Sequence, residues 1–216
     1  MNEVKRPSKL GAAFTIAFWL AIAAGTVYTL FFASHSGRVN QGIVLRNYQM
    51  VGAFSLTDQQ GNQVKRSDLE GKIWVASFFF TSCNTQCVVV SARMADLQNR
   101  FAKNPDVAFV SISVDPQTDT PQRLEKYAER YGAGPNWSFL TGDSRKVDEL
   151  IKGSFLLPVA RDDGERSQIN QANLIHSDRI AVVDRLGVVR FYVDGMTPEA
   201  VDLVSKAVEM LLTEKR

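Results

Sequence analysis

Apolar residues run almost unbroken through three stretches of the chain, and elsewhere they recur at spacings of two or of three to four. The first run, Leu10 to Ala33 (LGAAFTIAFWLAIAAGTVYTLFFA), carries no charge. At about 1.5 Å per helical residue it can cross roughly 30 Å of hydrocarbon, so it predicts one membrane span. The second, Ile73 to Phe80, is apolar, aromatic and β-branched, the pattern of a central strand buried on both faces. Val107 to Val114 predicts another core strand. Ahead of both, Phe54–Thr57 and Gln63–Lys65 flank the turn-forming Asp58-Gln59-Gln60-Gly61-Asn62, which predicts a hairpin.

Helical periods occupy the intervals. Val88, Ala92, Ala95 and Leu97 with Phe101 predict the apolar side of a helix that ends at Asn104-Pro105. Thr120-Pro121 supplies an N-cap and a first-turn proline for a helix to about Tyr131. Trp137–Leu140 reads as a short strand, and Asp143 can cap a helix running to Gly153. Residues 158–173 are rich in Pro, Asp, Gly, Asn and Gln, and a loop of that length in a compact domain is commonly functional. Ile175–Asp184 and Val188–Val193 are predicted strands around Arg185-Leu186-Gly187, and Pro198 to about Leu212 is a terminal amphipathic helix. The sum is a mixed sheet flanked by helices, an α/β sandwich.

Charge gives the span a direction. Lys5, Arg6 and Lys9 precede it against Glu3 alone, so the N-terminus stays in the cytoplasm and the rest emerges outside. The expected organisation is a cytoplasmic segment 1–9, an anchor 10–33, a polar linker 34–47 and a globular domain 48–216. The expected address is a bacterial inner membrane, crossed once, with the domain in the periplasm. A cleaved signal peptide is the alternative, with Ser34-His35-Ser36 as a tolerable site, although the apolar run exceeds the usual length. A chain of 216 residues, 45% hydrophobic and 22% charged, fits one domain plus such an appendage. The net charge of +2 arises from interspersed residues without a basic block, which argues against nucleic acid as a partner.

Two cysteines, Cys83 and Cys87, stand where the first core strand gives way to its helix. Thiols outside the cytoplasm favour a disulfide, and four residues apart on one helical turn they lie within bridging distance. The same spacing can clamp a soft metal ion, because a helix N-terminus favours thiolate. With no further cysteine, an iron–sulfur cluster or a closed zinc site lacks ligands. A third ligand must be imidazole or carboxylate. Of the two histidines, His35 sits at the membrane exit and His176 sits where the long loop meets a strand, so His176 is the candidate. Two thiolates and one imidazole suit Cu(I) or, with an added ligand, Cu(II). The alternatives are inert buried cysteines, a static disulfide, or a thiol-disulfide oxidoreductase in which Cys83 attacks and Cys87 resolves. Asp115 and Asp119 are read first as turn and cap residues, and second as groups that orient ligands or dock a partner.

TSCNTQC after an aromatic strand, Asp115-Pro116-Gln117-Thr118-Asp119-Thr120-Pro121, Trp137–Gly142, and Ile175-His176-Ser177 before Val183-Asp184-Arg185 together resemble the SCO/SenC family. The resemblance covers roughly residues 48–213. It implies a thioredoxin-like fold, copper ligands Cys83, Cys87 and His176, and either copper delivery to or thiol reduction at the dinuclear copper centre of cytochrome c oxidase. The implied partners are the copper-centre subunit of the oxidase and another periplasmic copper chaperone or thiol reductant. The chain departs from the usual C-P-x-x-C-P pattern: Asn84 and Val88 replace both prolines.

Overall fold

The computed structural model describes residues 18–27, 43–157 and 178–214. The chain forms two compact units, Met1–Gly42 and Ile43–Arg216. In the first, residues 18–27 are helical, with Phe18, Trp19, Leu20 and Val27 exposed. Among the described residues no helix is long and apolar enough to cross a membrane. The rest of the predicted span, the 158–173 loop and residues 175–177 lie outside the described residues.

The second unit opens with a strap. Residues 43–51 run along one side of the sheet, where the N–H groups of Arg46, Tyr48 and Val51 donate to Arg190, Val189 and Gly187. β1 (Ser55–Thr57) and β2 (Gln63–Lys65) form the expected antiparallel hairpin. Asp58 shapes its turn by accepting from the backbone N–H groups of Gln60 and Asn62, and Gly61 takes a positive φ of 87° that favours glycine. A short 3-10 helix, Arg66–Leu69, leads into the main sheet.

That sheet has the order β5-β4-β3-β6-β7, built from β3 (Ile73–Phe79), β4 (Val107–Ser113), β5 (Trp137–Leu140), β6 (Arg179–Val183) and β7 (Val189–Asp194). β3, β4 and β5 are parallel, while β6 and β7 join antiparallel. Every residue of β3 and β4 is buried, as their unbroken apolar runs require. Alternation along β3 divides the core: Trp74 and Phe78 meet Phe155 on one face, and Phe79 stacks on Tyr127 on the other. The helices are α1 (Gln86–Phe101), α2 (Pro121–Arg130), α3 (Ser144–Ser154) and α4 (Ala200–Thr213). Asp143 caps α3 by accepting from the N–H groups of Arg145 and Lys146.

The predicted buried side of α1 needs correction. Cys87, Val90, Ser91, Met94, Leu97, Gln98 and Phe101 face inward, whereas Val88 and Ala92 are exposed. Ser91 and Gln98 tolerate burial because they are bonded: Ser91 Oγ to Tyr127 Oη at 3.0 Å, and Gln98 Oε1 to the N–H of Gly134 at 2.6 Å. Beyond the outer strand of the sheet, the buried amide of Gln59 accepts from the N–H of Phe139 and donates to the carbonyl of Trp137. Thr57 bridges to Thr141 beside it.

Candidate functional site

The C-terminal ends of β3 and β4 are tied side by side, Val114 N–H to Phe79 O at 2.8 Å. The loops that leave these ends build the site. After β3 the chain turns at once, with the N–H of Cys83 donating to Phe80 O at 3.2 Å. Helix α1 starts only at Gln86, with Thr85 at the N-cap. The thiols stand at the strand-to-helix junction, as expected, but do not share a helical turn: Cys83 lies in the loop and Cys87 in the first turn. The Thr85 side chain makes no capping bond, and its hydroxyl lies 3.8 Å from Cys83 Sγ.

Both thiols are free and buried. Burial opposes ionisation of Cys83, but hydrogen bonds from the Cys87 thiol, from Thr85 and from the Cys87 backbone outweigh it and hold Cys83 below its ordinary value. Burial, the bond to Cys83 and the charge there push Cys87 up to about 12. One thiol is poised to ionise while its neighbour keeps its proton.

Asp119 is fully buried. Its carboxylate accepts from the Thr81 N–H at 3.1 and 3.2 Å, from Thr81 Oγ1 at 2.5 Å and from Ser113 Oγ at 2.5 Å. Burial raises its carboxyl pKa, with the Asp115 charge adding, against these hydrogen bonds. Asp115 follows the turn reading: its carbonyl accepts from the N–H groups of Thr118 and Asp119. Thr81 and Ser113 escaped the sequence reading, since no spacing links residues that meet only when β3 and β4 pair; Thr85, two residues from the thiol it touches, stood within the cysteine motif itself.

A small cavity beside Cys87 is bordered by Phe78, Phe80, Gln86, Val90 and Asp178. Among the described residues no third His, Cys, Asp or Glu completes a metal-holding cluster. His176, the expected third ligand, and His35 lie outside the described residues. A larger pocket, about 620 Å³, opens at the opposite end of β3 beside Gly71, Arg185 and Arg190. It is remote from the thiols, and Arg190 there is paired with Asp184 and Glu214.

A parallel core extended by antiparallel strands, with a dithiol where the central strand passes to its helix, defines a thioredoxin-like protein. The chain belongs to the SCO1/SenC family, whose model matches residues 44–212. It is 35% identical over 172 residues to the SCO1 protein homolog of Bacillus subtilis (strain 168), covering 77% of this chain and 87% of that one. The solved structure of BsSco, described as having a disulfide switch and as a member of the Sco family of cytochrome c oxidase assembly proteins, is 34% identical with a TM-score of 0.67. That match covers 79% of this chain and 97% of the other. Bradyrhizobium japonicum ScoI, solved with copper bound, is 26% identical with a TM-score of 0.57, over 72% of this chain and 98% of that one.

Proposed function

We propose that this chain is a membrane-anchored copper metallochaperone that holds copper through Cys83, Cys87 and His176 and assists assembly of the dinuclear copper centre of cytochrome c oxidase. The observation that carries the reading is the pair of free, buried thiols where β3 passes to α1, in a family whose solved members include one with copper bound. Asp178, which borders the cavity beside Cys87, is two residues from His176. That is a reach of about 7 Å of chain, which supports the histidine as third ligand. Copper is cargo here: two thiolates and an imidazole accept Cu(I) and release it by ligand exchange to a docked acceptor. The apolar side chains exposed on the 18–27 helix suit a lipid environment, in keeping with a single anchor and a periplasmic domain.

The test is an anaerobic Cu(I) titration of the reduced full chain in detergent. One copper per chain is expected, none for the Cys83→Ser/Cys87→Ser variant, and clearly weaker binding for His176→Ala. Failure of the wild type to retain copper overturns the reading.

The unequal thiols favour a second reading, reduction of the copper-site cysteines of the oxidase. Cys83 thiolate attacks a target disulfide and releases one target thiolate. Cys87 then gives up its proton and attacks Cys83 Sγ, which frees the second thiolate and leaves a Cys83–Cys87 disulfide, two electrons having passed to the target. Rapid disulfide exchange by a protein that does not retain copper would establish this reading in place of the first.

A further inference from the structure

We propose that Asp119 is a positioning residue for the thiol pair, a buried splint that fastens the β3–α1 loop at Thr81 to the β4–α2 loop and thereby sets how Cys83 meets Cys87. Three hydrogen-bond contacts from Thr81 and one from Ser113 converge on this one carboxylate. Thr81 is the second residue before Cys83, and the turn from Phe80 to Cys83 follows directly.

The other end of the splint is equally fixed. Asp119 N–H donates to Asp115 O, Asp115 N–H donates to Ser113 Oγ at 3.1 Å, and Thr120 O accepts from the N–H groups of Arg123 and Leu124 at the start of α2. The loop is thus referred to two rigid elements, the end of β4 and the start of α2.

The chain has particular need of this arrangement. Asn84 and Val88 follow the two cysteines, so no proline ring restricts the backbone there. Thr85 makes no side-chain cap on α1 either. Ser82, Asn84 and Thr85 are exposed, and Asp119 supplies an external fixed point at the entrance to the loop. A ligand held by groups outside its immediate contacts loses about 10- to 100-fold in metal affinity when those groups are removed.

The experiment uses the reduced full chain in detergent, as wild type, Asp119→Asn, Thr81→Val, Thr81→Ser and the Asp119→Asn/Thr81→Val double variant. Cu(I) affinity is measured by chelator competition, and the pH profile of Cys83 alkylation by peptide mass spectrometry. Copper affinity tests the proposal within the metallochaperone reading, whereas the alkylation profile does not depend on it. Asp119→Asn and Thr81→Val are each expected to weaken Cu(I) by about 10-fold and to move the Cys83 profile to higher pH. The double variant should be no worse than the weaker single one, since both weaken the same link. Thr81→Ser, which keeps hydroxyl and N–H, should match wild type in both measurements. Should Asp119→Asn fail to fold, Thr81→Val carries the test, because it removes one hydroxyl from a part-buried loop residue. Wild-type affinity and profile in Thr81→Val, or equal effects of Thr81→Val and Thr81→Ser, overturn the proposal. A shifted profile in Thr81→Val when wild type itself binds no copper supports the splint and defeats the copper reading instead.

Discussion

Cys83 and Cys87 have opposite acid–base behaviour four residues apart. Cys83, held below the ordinary thiol value of 9.0 and flanked by exposed Ser82 and Asn84, is the thiol that ionises first. Cys87, raised to about 12, stays protonated through the neutral range. Limited iodoacetamide treatment of the reduced protein at pH 7 should therefore label Cys83 and spare Cys87, with the preference narrowing only as pH approaches about 12. Peptide mass spectrometry reads this directly, and equal labelling would defeat it. Copper loading must also strip the proton from Cys87. Below its raised value, Cu(I) affinity should climb at least about tenfold per pH unit, with at least the Cys87 proton leaving per copper bound, as checked by competition at pH 6, 7 and 8. The thiols themselves were legible from C-x3-C spacing, and Asp119 was legible as a residue of interest. Its contact with Thr81 was not. Those positions are 38 residues apart, and they meet because Phe79 and Ser113 are paired across β3 and β4.

Among the elements, α3 and α1 show what local sequence does and does not reveal. The Asp143 cap was readable because an aspartate ahead of a helical period has one common use. At the other end of α3, Leu156 takes φ of 52°, an exposed leucine in a left-handed conformation where glycine is the usual residue. Leu156→Gly should stabilise the domain by about 1 kcal/mol, a rise of about 2–4 °C in Tm. An unchanged or lower Tm would show that the leucine side chain gains more from its surroundings than the backbone loses. The buried side of α1 was misread for a different reason. A hydropathy pattern counts Ser91 and Gln98 as outward-facing, but each has a bonded partner waiting inside, and only the tertiary structure supplies those partners. Val88 and Ala92 are apolar residues left on the surface, a common situation because polar area alone cannot cover a protein.

The whole domain is organised around β3, which carries the dithiol at one end and divides the aromatic core between its two faces. Phe155 is the wedge on one face, with its ring 4.9 Å from Phe78 and 6.0 Å from Trp74. Phe155→Ala should lower stability by about 3–5 kcal/mol, measured by urea unfolding. A loss below about 1 kcal/mol would mean that neighbouring side chains collapse into the space. The α/β class was clear because long apolar runs alternated with helical periods, but the order in which the strands pair lay beyond any local pattern.

The outer border of β5 shows a further property of this architecture. Its backbone groups at Trp137 and Phe139 are satisfied by one glutamine side chain, and just past its end Thr141 pairs with Thr57, so along the strand itself the border is guarded by a single amide. Unpaired strand borders are templates for β-aggregation. Gln59→Leu should therefore leave a dilute sample folded yet make concentrated samples scatter light and bind thioflavin, while wild type stays clear. The shelf life of the folded domain in a crowded compartment then depends on a residue far along the chain from either cysteine.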